Sequence, residues 1–245
     1  MDSQPTLNDR EPAMIFRQLF DIQSSTYTYL IADEDTGEAV LIDPVIDKTD
    51  DYLMLLMQLE LKLIVAVDTH THADHITALG LLREHTGCQT MVGQQSIAEC
   101  VSSKFSAGDC IAIGQLSLEV LYTPGHTNDS YSFYLLSDNQ PMLFTGDTLL
   151  IRGTGRTDFQ SGDPRQQYDS LFNHLLTFAG NTLVYPGHDY KGWTVSTIDE
   201  ERAHNPRLQV GNSDAYAELM DGLILPNPKM MDVAVPANQK CGNIR

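Results

Sequence analysis

Lys62-Leu-Ile-Val-Ala-Val-Asp68, running straight into Thr69-His-Thr-His-Ala-Asp-His75, is the stretch on which the fold and the chemistry of this chain turn. Its first half is a short apolar run rich in branched residues and reads as a buried strand. Ile76 to Leu82 reads as the start of a helix. Between them His70, His72, Asp74 and His75 crowd into one strand-to-helix turn, where a rigid scaffold presents loop side chains to a cleft. Neutral imidazole and carboxylate are ligands for zinc, manganese and iron.

On the N-terminal side, Ile15–Phe20, Thr26–Ala32 and Ala39–Asp43 read as successive strands, the last two joined by the turn Asp33-Glu-Asp-Thr-Gly37. Thr49 to Asp51 is placed to cap a helix through Leu53–Leu61. Beyond the ligand turn, Gly87 stops the helix. Thr90–Val92, Ile111–Ile113, Leu116–Tyr122, Tyr131–Leu136 and Met142–Thr145 read as strands. Pro164–Phe178 reads as a helix with proline in its first turn. Leu183–Tyr185 is a late strand, and Ser196–Ala203 and Asp214–Leu223 are helices. Residues 1–12 read as a polar tail ahead of one domain over 13–245, and Pro226–Arg245 as irregular. Two similar rounds of strands and helices suit two sheets packed face to face with helices outside.

Three more polar residues stand beside a glycine at a strand end: His126 in Thr123-Pro-Gly-His126, Asp147 in Thr145-Gly-Asp147, and His188 in Pro186-Gly-His188. Glycine allows a sharp turn and a close approach there. Five of the chain's 8 histidines fall in these motifs and the ligand turn. His85, His174 and His204 lie outside them and read as solvated.

The ligand types leave two arrangements open. In one, His70, His72 and His126 hold a first metal, Asp74, His75 and His188 a second, and Asp147 bridges; a bridging hydroxide then attacks a thioester or amide. In the other, His70, His126 and Asp147 hold a single metal from one side, as in non-haem Fe(II) oxygenases. His72, Asp74, His75 and His188 then orient ligands and water.

A formal net charge of -18 over 245 residues disfavours nucleic acid and anionic membrane surfaces as partners. No apolar run is long enough to span a bilayer. The N-terminus has neither the basic nor the apolar region of a signal peptide, so the cytoplasm is expected. Cys88, Cys100, Cys110 and Cys241 are scattered without a CxxC and read as free thiols in a reducing compartment.

The order His-x-His-x-Asp-His, Gly-His, Gly-Asp, Gly-His resembles the metallo-β-lactamase superfamily. Its persulfide dioxygenase branch, related to glyoxalase II, is more similar still. The likeness rests on Thr69–Thr77, on Phe144 to Phe159 with its run Arg152-Gly-Thr-Gly-Arg-Thr-Asp-Phe159, and on Tyr185–Tyr190. It extends over Thr194–Arg202, Asn205–Leu208, Val235–Asn238 and Cys241-Gly242. The resemblance implies an α+β fold, the single-domain, four-layer αββα sandwich. It selects iron: one Fe(II) per chain on His70, His126 and Asp147. It implies oxidation of glutathione persulfide by O2 and water to sulfite and glutathione, with His188 and Asp74 as candidate proton relays. Some members carry Cys where this chain has Thr154, so no catalytic thiol is expected there.

Arg156 and Tyr190 match basic and tyrosine positions of the glutathione-handling thioesterases and are candidate substrate contacts. The competing reading of Arg156 is an ion pair with Asp158 or Asp163, and of Tyr190 a half-buried packing residue. The shared Cys-Gly implies a position near the site for Cys241, and the competing reading is a plain buried thiol. A glyoxalase II-type thioester hydrolase is the main alternative, although the stretch after His188 is short for that branch's helical glutathione-binding region. A nuclease would need basic surface and an inserted domain. A sulfur sensor or carrier would not need a complete ligand set. A homodimer is the default assembly.

Overall fold

In a computed structural model, described over residues 13–137, 140–226 and 230–242, the chain forms two six-stranded sheets facing one another. The first runs β1 (Met14–Asp21), β2 (Thr26–Asp33), β3 (Glu38–Ile42), β4 (Lys62–Val67), β5 (Gln89–Gly93) and β6 (Ser103–Phe105), in that spatial order. The second runs from β12 (Ser196–Thr197) through β11 (Leu183–Pro186), β10 (Gln140–Gly146), β9 (Tyr131–Ser137) and β8 (Leu116–Tyr122) to β7 (Cys110–Ile113). Hairpin-linked strands pair antiparallel. Helices return the chain for the parallel pairs β3–β4, across α1 (Thr49–Gln58), and β4–β5, across α2 (Leu79–Thr86), whereas an irregular connection joins the parallel pair β5–β6.

Strand side chains alternate, so each sheet buries two faces. Tyr29 and Ile31 of β2 face Phe133 and Phe144 in the central layer, while Leu30 and Ala32 face outward. That outer face packs against Tyr52 and Leu56 of α1 and Leu79 and Leu82 of α2. Leu143 and Val184 of the second sheet pack outward against Ile198 of α4 (Ile198–His204) and Tyr216 and Met220 of α5 (Ser213–Asp221). The layers are therefore αββα, as the resemblance implied. Each fully buried large apolar side chain contributes about 1.5–3 kcal/mol.

Several elements depart from the sequence reading. β6 was not foreseen: three residues are too short to show a period. The helix from Pro164 changes pitch, with α3 at Pro164–Asp169, a π turn at Ser170–His174 and a 3-10 turn at Leu175–Thr177. The N-cap Asp163 accepts from the backbone of Arg165 and Gln166. Thr49 is the first residue of α1 rather than its N-cap; it closes the 3-10 turn Ile46–Lys48, its hydroxyl donating to the Ile46 carbonyl. α2 begins at Leu79, later than Ile76, because the intervening backbone is held by other partners.

The segment expected to be irregular contains α6 (Met231–Asn238), despite Pro236 within it. Ala234 and Ala237 pack against Ile76, and this tertiary contact overrides the local signal. The free-thiol reading is also overturned for two cysteines. Cys100 and Cys241, 141 residues apart in sequence, form a disulfide with a Cα–Cα distance of 6.0 Å. Folding brings α6 beside the connection between β5 and β6, which no spacing rule shows. Cys88 and Cys110 are free. The polar tail over residues 1–12 lies outside the described residues.

Phe133, fully buried in the central layer with its ring 5.4 Å from that of Phe105, tests this packing. Phe133→Ala is expected to cost about 3–5 kcal/mol of unfolding free energy, measured by urea denaturation.

Candidate metal centre

Every candidate ligand leaves the end of a strand at one edge of the sandwich. The ligand turn follows β4, His126 follows β8, Asp147 follows β10, and His188 follows β11. Both sheets thus contribute, and the site is their common edge. Two glycines make the approach possible. Gly146 has φ +48°, and a Cβ there would sit 2.7 Å from the Thr69 hydroxyl. A Cβ on Gly187 would lie 2.8 Å from Oδ1 of Asp147.

His70, His126 and Asp147 are buried and bring one ligand atom each to within 4.8 Å of one another. Their outer contacts decide which atoms face inward. Nδ1 of His126 donates to the Arg156 carbonyl at 2.7 Å. Its Nε2 is the nitrogen left to face Oδ2 of Asp147, 3.6 Å away. The Thr69 hydroxyl donates to Oδ2 of Asp43 at 2.9 Å, so it accepts from Nδ1 of His70, also 2.9 Å away. That leaves Nε2 of His70 as a lone-pair donor. Burial, reinforced by the neighbouring His72 and His126 imidazoles, holds the His70 pKa well below its ordinary value, which keeps the ring neutral. Burial opposes ionisation of Asp147, but His188, His126 and His70 beside it hold its carboxyl below the usual range. Two imidazoles and one carboxylate, with ligand atoms within 4.8 Å of one another, are a donor set that fits a divalent first-row metal.

His72, Asp74, His75 and His188 form a second group on the same distance criterion. His188 donates from Nδ1 to Oδ1 of Asp147 at 2.6 Å and from Nε2 to Oδ2 of Asp74 at 2.9 Å. Burial alone would discharge it, yet the two carboxylates raise its pKa well above the ordinary value. Asp74 also meets Nδ1 of His75 at 2.9 Å, and the Thr26 hydroxyl touches Asp74, His75 and His188. Nε2 of His72 pairs with Oδ1 of Asp43 at 3.1 Å. Burial works against that charge too, but Asp43 pushes the His72 pKa up to about 9. Nδ1 of His72 and Nε2 of His75 are buried without a partner among the described residues.

Residues 22–99 and 102–201 match the model of the metallo-beta-lactamase superfamily. The chain is 47% identical over 230 residues to the mouse protein "Persulfide dioxygenase ETHE1, mitochondrial", covering 94% of this chain and 89% of that one. The crystal structure of ETHE1 from Myxococcus xanthus superposes with a TM-score of 0.90 at 52% identity, covering 94% of this chain and 100% of that chain. The chain belongs to the persulfide dioxygenase family of the metallo-β-lactamase superfamily. A hydroxyacylglutathione hydrolase of Dictyostelium discoideum is more distant, 33% identical over 174 residues, or 69% of this chain and 64% of that one.

Around this family site the structure places the remaining candidates. Tyr190 is 72% exposed, its ring parallel to that of His188 with centroids 6.2 Å apart. Arg156 donates to both oxygens of Asp158 at 2.6 Å and to the Pro226 carbonyl at 2.6 Å. The ion pair raised as its competing reading therefore exists. Cys241 lies by the ligand turn, where its carbonyl accepts from Gly80, but its sulfur is bonded to Cys100. Thr154 is buried and accepts from the Tyr216 hydroxyl at 3.0 Å. His85, His174 and His204 are exposed.

Asp43, Thr69 and Thr26 were not assigned roles from sequence. Asp43 carried a usable signal, an acid closing the strand Leu41-Ile42 and preceding Pro44. Thr26 carried none. Trp193, in the segment after His188, is flanked by Arg152 and Lys191, each 5.3 Å from its ring centre.

Asp147→Ala is expected to abolish stoichiometric metal binding, read by elemental analysis of the purified protein; a full complement of metal would exclude Asp147 as a ligand. Thr69→Val removes the hydroxyl that sets the His70 tautomer and is expected to weaken metal binding about 10-fold or more, measured by chelator competition.

Proposed function

We propose that the chain is an Fe(II)-dependent persulfide dioxygenase with one iron per chain. It oxidises glutathione persulfide with O2 and water to sulfite and glutathione. The observation that carries this reading is the division of labour at the edge. His70, His126 and Asp147 bring three ligand atoms within 4.8 Å of one another, while Asp74 and His188 are hydrogen-bonded to each other. The family relationship supports the same substrate and oxidant. Iron bound there supplies the one-electron steps that let dioxygen react with sulfur.

The chain's own residues do the rest. As metal ligands the rings of His70 and His126 would be neutral, and with the single carboxylate of Asp147 they would keep the net charge of the centre low. His188, protonated between two carboxylates, holds a proton at Nε2 against Asp74. The Asp74 side chain is 24% exposed, so the pair is a route for protons released when water is consumed. Tyr190 offers a hydroxyl and a ring face to the substrate from the rim. Arg156 reaches a substrate carboxylate by exchanging Asp158, whose side chain is 54% exposed. On a protein of net charge -18, a local cation of this kind is what a substrate with two carboxylates requires.

The hydrolase reading has one observation in its favour. Nδ1 of His72 and Nε2 of His75 are unpartnered, and the two-metal arrangement would use the first on one metal and the second on the other. Metal content separates the two: one iron per chain supports the dioxygenase, two metals the hydrolase.

The cytoplasm is the proposed compartment, although the mouse relative is named as mitochondrial; no described helix is long and apolar enough to cross a membrane. A homodimer is proposed as the assembly and is checked by light scattering.

Fe(II)-loaded protein is expected to consume O2 with glutathione persulfide and to leave S-lactoylglutathione intact. Thioester hydrolysis without O2 uptake would overturn the reading. Tyr190→Ala is expected to raise KM for glutathione persulfide about 10-fold, as for loss of a hydrogen bond to a charged group, with a smaller change in kcat.

A further inference from the structure

The ligand turn has no regular secondary structure between His70 and Ala78, yet it is buried. Its backbone groups must therefore find partners elsewhere. The Ile76 carbonyl accepts from Ile46, and Ala78 donates to the Pro44 carbonyl. Three further groups converge on one side chain at the far end of the chain. Oδ1 of Asn238 accepts from the Thr77 amide at 2.8 Å. Its Nδ2 donates to the carbonyls of His72 and His75, both at 2.9 Å.

Asn238 is the last residue of α6 and is 7% exposed. The small residues Ala234 and Ala237 let the helix lie close to the turn. Gly242 presses on the same place: a Cβ there would sit 2.2 Å from the Thr77 carbonyl. The end of α6 is anchored independently by the bond from Gly80 to the Cys241 carbonyl and by the Cys100–Cys241 disulfide.

We propose that Asn238 is a positioning residue for the metal centre, acting from the C-terminal helix through the backbone of the ligand turn. The inference rests on the metal site assigned above but not on the reaction. The chemistry demands this residue type. One acceptor and two donors on a short stem are needed, and only asparagine supplies them. Aspartate would face two carbonyls with an oxygen. Glutamine would be too long by one methylene. By tying His72 to His75, Asn238 fixes where Asp74 points. Asp74 meets His188, and His188 meets Oδ1 of Asp147, the carboxylate whose other oxygen faces His126.

The test is anaerobic titration of the metal-free full chain with Co(II), following affinity by chelator competition and ligand geometry by the visible d–d spectrum. Asn238→Ala is expected to bind Co(II) about 10-fold more weakly with a shifted spectrum. Asn238→Asp, which keeps the volume and one acceptor, is expected to bind at least as weakly. Val233→Gly, at an exposed position of the same helix, is expected to lower the melting temperature and leave the cobalt spectrum unchanged. If Asn238→Ala does not fold, Asn238→Asp carries the test. Wild-type Co(II) affinity and spectrum in either folded Asn238 variant, whatever its melting temperature, would overturn the proposal. Because no substrate enters the titration, the result is separate from the identity of the reaction. A second metal would show independently in the stoichiometry of the wild type.

Discussion

Asp147 leaves the end of β10 with two oxygens and two tasks. Oδ1 accepts a hydrogen bond from Nδ1 of His188, while Oδ2 faces Nε2 of His126. A buried carboxylate is costly unless its charge is met from several sides. Here the imidazolium of His188 meets it from one side, and a bound metal would meet it from the other. His188 is held in turn by Asp74, so a hydrogen-bonded line runs from the second sheet to the turn after the first. The face-to-face packing of the sheets exists in service of no single residue, but this line needs both sheets in register.

A second line runs from the outside inward. Asp43 accepts from the Thr69 backbone and hydroxyl and from His72. It thereby sets the tautomer of His70 from two residues away in the contact chain. Asp68, directly beneath, is raised to about 7 by its burial and hydrogen-bonds the Thr77 hydroxyl. The ligands are thus oriented by a buried polar network that is satisfied at almost every atom. The exceptions are one nitrogen each on His72 and His75 within the second group. Networks of this kind carry a high penalty when half-made, which is why the turn is pinned from α1's approach, from β3 and from α6 together.

Much of this was legible in the residues. Strand β4 showed as a branched apolar run, Gly87 as a helix stop with φ +73°, and the Gly-Asp and Gly-His motifs as polar residues at strand ends. Those signals are local: a period, a backbone angle, a side chain beside a glycine. What stayed hidden was non-local or had no partner in sequence. The three residues of β6, the π turn after Asp169, the helix α6 across Pro236 and the Cys100–Cys241 pairing all depend on neighbours distant along the chain. Arg156 shows the same limit at the site. Its residue type pointed to a carboxylate, and the fold gave it Asp158.

The sequence by itself determined which atoms can bind a metal, that they sit at strand ends, and that the strands bury both faces, because these follow from residue type and period. Only the tertiary structure decided which three donors share a point and which four close on one another. It alone decided which nitrogen of each ring looks inward. Those outcomes depend on hydrogen bonds of a few ångströms between residues far apart in the chain, and such distances exist only once the two sheets meet.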